Sequence, residues 1–257
     1  MAIVTLTSDF GTSDGYVGAM KGVILTRAAS AVIVDIAHDV SPCAIAAGAY
    51  CLAQAAPYFP PGTIHVAVVD PGVGTERRAV IADDGRCLFI APDNGLLALA
   101  VPEPRAVFAI ESPAFVRDQV SATFHGRDIF AAAAGTLARG GSPRDAGPQV
   151  ALSPLPVTGG QTPHDGNHTA AWLYRVIYVD RFGNLITDCP GTDVAAHARI
   201  TAGTCTIAGL SRTFGDVAVG APVAYIGSAG TVEIAIRQDS AARVFGLGPG
   251  DPVHITE

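Results

Sequence analysis

Charge is scarce in this sequence. Lys, Arg, Asp and Glu together make up 15% of 257 residues, aromatic residues only 7%, and there is a single Trp. Basic groups are the rarer sign, 16 against 23 acidic, for a formal net charge of −7. Nucleic acids are held through a basic face, so this balance predicts no nucleic-acid partner. No stretch reaches the roughly eighteen uninterrupted apolar residues of a spanning helix, which predicts no membrane partner. Cys-x-x-Cys pairs are missing. Cys43, Cys51, Cys87, Cys189 and Cys205 are odd in number and scattered. They read as small buried hydrophobes in a reducing compartment, not as a disulfide frame or a zinc site. The opening MAIVTLTSDFG has no basic region and turns polar after six residues, unlike a secretory signal. The expectation is a cytoplasmic protein.

What the chain does have is apolar bulk, 49% of its residues, and enough length for a large core. The first half alternates strand-like and helix-like runs: AIVTL, Tyr16 to Thr26, AVIVDIA, Cys43 to Ala56, IHVAVV, AVIADD, CLFIAP, AVFAI, and Asp128 to Leu137. Such alternation predicts an α/β domain over residues 1–145, with a mostly parallel sheet flanked by helices. Residues 146–168 are rich in Gly, Pro, Ser and Thr and read as a linker. From residue 169 to 257 the pattern becomes short β runs separated by turns, from AWLYRVIYVD to DPVHITE. That predicts a smaller antiparallel β barrel or sandwich.

Two loops concentrate the chemistry. IHVAVVD ends in Asp70 and breaks at once into PGVGTERR. A buried strand there delivers a carboxylate to its C-terminal end, with Arg77 near enough on a tight turn to fold back onto it. TFHGRDIFAAAAG sets His125 on a turn before an alanine-rich run. Asp, Arg and His together can orient and deprotonate a water. Each also has an innocent reading, Asp-Pro-Gly as a turn and His125 as a core residue. Arg78 is the internal control, its replacement expected to be mild. Asp9, before Phe10-Gly11, suits a ribose diol or a turn, and Ser13 or Asp14 suits a helix N-cap. Asp180 to Asn184 makes a good hairpin turn, as does Ser228 in IGSAG. No Gly-Lys-Ser/Thr follows PGVG and no Gly-x-Ser-x-Gly elbow occurs, against a phosphate loop and a serine hydrolase. His164 and His168 have metal-like spacing but lie in the Gly/Pro stretch, so no metal site is expected.

In order, TSDFGTSDGYVGAMKG, VDIAHDVSP, VVDPGVGTERR, APDNGLL, TFHGRDIFA, YVDRFGNLIT and IGSAGTVEIA resemble the S-adenosyl-L-methionine (SAM) hydroxide adenosyltransferases, relatives of the SAM-dependent fluorinase and chlorinase. The resemblance implies a SAM hydrolase that forms adenosine and L-methionine, with SAM as substrate and no cofactor or metal. It implies catalytic roles for Asp70, Arg77 and His125. The halogenating relatives carry Tyr for both the acid and the histidine. It further implies Asp9 on the ribose diol, Asp14 and Asp180 near the methionine ammonium, Asn184 on the adenine edge and Ser228 on the methionine carboxylate. Ala229 stands where the fluorinase has Arg, and Cys43 where it has Trp. The family's assembly implies a homotrimer with sites between subunits. Two alternatives remain: a SAM-dependent halogenase using chloride, and a non-catalytic SAM- or adenosine-binding protein.

Overall fold

Six short apolar runs build the first sheet: β1 (Ile3–Ser8), β2 (Val32–Ala37), β3 (Ile64–Val68), β4 (Ala79–Asp83), β5 (Leu88–Pro92) and β6 (Ala106–Ala109). The computed structural model describes residues 1–155 and 171–256, and the chain divides into two compact units, Met1–Pro156 and Val157–Glu257. Strand order in the first unit is β2-β1-β3-β5-β4-β6. The first four strands in that order run parallel, whereas β4 and β6 are antiparallel to their neighbours. The sheet is therefore mixed. A parallel crossover needs a dozen or more residues, and only residues 84–87 join β4 to β5. That connection is a tight turn in which Asp84 Oδ1 accepts the Cys87 N–H at 2.6 Å.

Helix α1 (Tyr16–Arg27) buries Val17, Met20 and Ile24, a three-and-four spacing that makes one apolar stripe. Helix α2 (Ile45–Ala55) approaches the sheet closely at Gly48. A Cβ there would fall 2.8 Å from Val69 and 2.9 Å from Leu96. Helix α3 (Ala131–Ala138) is buried along nearly its whole length, and its alanines let it lie against α1. Leu6, Val66, Met20, Ile24 and Phe130 share this core at 1% exposure or less. Each such side chain contributes about 1.5–3 kcal/mol by leaving water.

The second unit is an antiparallel sheet of seven strands: β7 (Ala171–Val179), β8 (Leu185–Pro190), β9 (Arg199–Ala202), β10 (Cys205–Ala208), β11 (Pro222–Ile226), β12 (Thr231–Ile236) and β13 (Pro252–Thr256). Its order is β10-β9-β13-β7-β8-β12-β11, curled into a nearly closed barrel around Val176, Leu185, Ile200, Ile234 and Val253. A short helix, α4 (Ala241–Phe245), was not expected from the sequence. Residues 148–150 still pair with β6, through the Ala109 N–H to Pro148 and the Val150 N–H to Val107. The remainder of the expected linker, with His164 and His168, lies largely outside the described residues.

Candidate active site

The chain leaves β1 for β2 on one side and returns to β3 on the other, so the winding direction reverses between β1 and β3. In open α/β sheets the crevice beyond the carboxyl ends at such a reversal is where ligands bind. Ser8 and Val68 are register partners there, and the next polar groups on the two chains are Asp9 and Asp70. A cleft of about 600 Å³ opens at this point, lined by Asp9, Asp70, Thr123, Phe124 and His125 among others.

Arg77 returns to Asp70 as its spacing suggests. Its Nε donates to Oδ1 at 2.9 Å and to Oδ2 at 3.0 Å, and its Nη2 pairs with Oδ2 as well. The same Nη2 lies 2.6 Å from His125 Nδ1. A guanidinium only donates, so Nδ1 must accept, which leaves the proton of the neutral ring on Nε2. Burial and then the Arg77 charge push the His125 pKa down, which agrees with a neutral ring. Arg77 also sits over the Phe130 ring, 5.3 Å from its centroid. It is not a lining residue: it stands behind Asp70 and His125 and fixes both. The two loops meet because Gly74, at φ +78°, lies against the Ala122 carbonyl, where a Cβ would collide.

His125 opens a π-helical turn, Gly126–Phe130, in which Ala131 N–H reaches back to Gly126 O. Widened turns of this kind are frequent at functional sites. Inside it Asp128 is fully buried and accepts from Arg117 (2.8 Å), Arg127 (2.7 Å) and the Ser121 N–H (2.9 Å). Burial opposes its ionisation, but these donors hold its carboxyl well below the usual carboxylate range. The loop leading to His125 is thereby tied down.

Asp9 caps no helix. Its Oδ2 accepts the Cys43 N–H at 2.9 Å, and the carboxylate lines the cleft. Cys43 holds φ +63°, uncommon for a residue other than glycine. Asp14 is exposed in the turn before α1, outside the cleft lining, and the helix N-cap is Gly15 rather than Ser13 or Asp14. Tyr16, Phe10 and Phe124 form an edge-to-face cluster on the cleft wall that sequence reasoning did not single out.

In the second unit Asp180 and Asn184 close the β7–β8 turn on each other. Asp180 Oδ1 accepts the Asn184 backbone N–H and Oδ2 accepts its Nδ2, at 2.9 and 2.7 Å. Asn184 is buried, at 6% exposure, and both of these bonds use its N–H groups, not its side-chain carbonyl. Ser228 is exposed on the β11–β12 turn. The register Leu185↔Ile234 and Pro190↔Thr231 sets it at the other end of the β8–β12 pair, about 10 Å or more from Asn184 at roughly 3.3 Å per residue. Among the described residues no group of three or more His, Cys, Asp or Glu side chains could hold a metal ion.

A reversal crevice with Asp70 at the carboxyl end of β3, joined through Arg77 to His125, defines an α/β enzyme acting on a small polar ligand. Profiles of the SAM hydroxide adenosyltransferase N-terminal and C-terminal domains match residues 4–147 and 174–254, and this chain belongs to that family. It is 41% identical over 268 residues to a Thermus thermophilus protein named (R)-S-adenosyl-L-methionine hydrolase, covering 99% of this chain and 100% of that one. A Nocardia brasiliensis fluorinase is more distant, 28% identical over 291 residues, covering 98% of this chain and 96% of the fluorinase. A crystal structure of a conserved Thermotoga maritima protein superimposes with a TM-score of 0.85 at 33% identity, covering 98% and 99% of the two chains.

Proposed function

We propose that this protein hydrolyses SAM by in-line attack of water or hydroxide at ribose C5′, giving adenosine and L-methionine. The observation that carries the reading is the Asp70–Arg77–His125 cluster, whose members are bonded to one another while Asp70 and His125 face the cleft. The sulfonium makes methionine a neutral leaving group, so sulfur needs no general acid. The difficulty lies in the nucleophile. With Nδ1 occupied by Arg77, His125 offers its Nε2–H as a donor to the attacking oxygen, and Asp70 offers an acceptor for a proton of the same water. Arg77 fixes the two relative to each other. The C5′–S pair goes to sulfur as the O–C5′ bond forms, and one proton is released per turnover. Held placement of this kind can supply much of the acceleration.

Asp9 holds the ribose diol in this reading. Asn184 reads the adenine edge, Ser228 takes the methionine carboxylate, and Asp14 and Asp180 lie near the ammonium. The chain acts as a cytoplasmic homotrimer whose sites each draw on two subunits; light scattering tests the trimer, and regained activity on co-expression of Asp70→Ala with Asn184→Ala protein tests the shared sites. Cys43, Cys87, Cys189 and Cys205, none of them in a disulfide, suit a reducing compartment, and among the described residues no helix is long and apolar enough to cross a membrane.

The test is incubation with SAM, with and without chloride and with and without a chelator. Equal formation of adenosine and methionine under all four conditions is expected. The Asp70 carboxylate beside the attack point disfavours a halide there, an effect that its Arg77 partner reduces. Chloride-dependent 5′-chloro-5′-deoxyadenosine would establish a halogenase, and bound but unconverted SAM a binding protein. Loss of activity on chelation, restored by a divalent ion, would overturn the metal-free mechanism.

A further inference from the structure

The segment VDIAH carries two polar residues that the proposed reaction does not use, Asp35 and His38. His38 is 6% exposed yet grips the loop after β1 twice. Its Nδ1 lies 2.7 Å from Ser8 Oγ, and its backbone carbonyl accepts the Gly11 N–H at 2.8 Å. Ser8 Oγ in turn accepts the Phe10 N–H at 3.4 Å. Asp9 is therefore bracketed by two attachments to one residue. On the far side, His38 Nε2 sits 3.1 Å from Asp35 Oδ1, close but off the hydrogen-bond line. Asp35 Oδ2 pairs with Lys21 Nζ of α1 at 2.6 Å.

We infer that the chain Lys21–Asp35–His38–Ser8 positions the Asp9 carboxylate for the ribose diol of the substrate. The inference rests on the reading above that Asp9 takes that diol. A Ser-His-Asp array also invites a nucleophilic role for Ser8. Its 1% exposure and its absence from the cleft lining leave that hydroxyl no access to a substrate. Its partners instead make it a strut. Asp9 is set from both sides, by the Ser8–His38 strut behind the loop and by the Cys43 N–H in front. A carboxylate that accepts from vicinal hydroxyls must meet both at hydrogen-bond distance, and the loop's register decides whether it does. Lys21 and Asp35, at 35% and 43% side-chain exposure, form the outer end and orient the His38 ring from the surface. His38, Asp35 and Lys21 are positioning residues, since none lines the cleft.

The experiment compares dissociation constants for adenosine and 2′,3′-dideoxyadenosine, measured by calorimetry on the intact protein. Taking the ratio cancels any loss that weakens both nucleosides alike. Wild type should prefer adenosine by about tenfold or more, the size of charge-assisted hydrogen bonds to the diol. Asp9→Ala should abolish that preference. His38→Ala should reduce it at least about threefold while dideoxyadenosine binds as before, and adding it to Asp9→Ala should change nothing further. Asp35→Asn should give a smaller reduction in the same direction, and it decides the matter if His38→Ala does not fold. A folded His38→Ala protein with the full preference, or parallel weakening of both nucleosides, overturns the positioning role. Absence of any preference in wild type instead overturns the Asp9 assignment beneath it.

Discussion

Arg77 and Arg78 are sequence neighbours, and each binds a carboxylate through Nε and Nη2, but only one of the two pairs is open to a ligand. Arg77 takes Asp70 and then His125, and the cleft touches both of those partners. Arg78 turns the other way, to Asp93, whose second oxygen accepts the Ser153 N–H at 2.7 Å, while Arg78 Nη2 also donates to Ala151 O. Both Asp93 oxygens and the Arg78 Nε and Nη2 in that second arrangement are spent on the fold. Alternation at the entry to β4 sends adjacent side chains to opposite faces, which is enough to separate the two tasks. The histidines divide similarly. His125 faces the cleft, whereas His65 is fully buried, bonded to Thr5 Oγ1 at 2.8 Å and stacked on Phe89. Chemistry is read from the members with capacity left over.

The contrast is broken most easily by rates. Asp70→Ala, Arg77→Ala and His125→Ala should each lower turnover about a hundredfold or more, with SAM affinity changed much less. Steady-state kinetics beside equilibrium binding separates the two effects. A His125→Ala enzyme that turns over normally would move His125 into the closed class. On the acid side, turnover should fall only below pH 6.5, because a protonated ring would set an N–H against the Arg77 N–H, and the ring's pKa is lowered.

His65 should show in stability instead. Burial lowers its pKa from 6.5 to about 4, so the unfolded chain binds the extra proton first as pH falls. Its contribution is complete above pH 6.5 and is lost between there and pH 4, up to about 3 kcal/mol at roughly 1.36 kcal/mol per pH unit. Denaturant titrations across that range should be flatter for His65→Phe, and an unchanged slope would remove His65 as the cause. Arg78→Ala comes last. Its replacement was expected to be mild, and turnover should indeed stay within a few-fold. Its loss, however, strands Asp93, whose side chain is 1% exposed. The stability cost should be about 2 kcal/mol, below that of a fully buried pair because Arg78 is half in solvent. Urea unfolding of Arg78→Ala at wild-type stability would show that Asp93 finds another donor.

Much of this was legible from residues alone. Runs such as IHVAVV, cut off by PGVG, mark strands because apolar β-formers end at turn formers, and the Asp70–Arg77 return follows from spacing on a tight turn. The directions of β4 and β6 were not, since strand direction depends on connection length rather than composition. Helix α4, at five residues, is too short to show a period. Charge alone does not separate Arg77 from Arg78; the match to the family motif named Arg77, and its tertiary neighbours Asp70 and His125 agree with that choice. The Ser8–His38 contact joins the end of β1 to the residue after β2 across thirty positions and has no local signature. Asp14 illustrates the reverse case, legible as a motif match yet exposed and outside the cleft lining.

Water held at the open cluster is the nucleophile that attacks C5′. Turnover of SAM in ¹⁸O-enriched water, followed by mass spectrometry of both products, tests this directly. One labelled oxygen in the 5′-hydroxyl of adenosine and none in methionine is the expected result, and adenosine formed without label would contradict it.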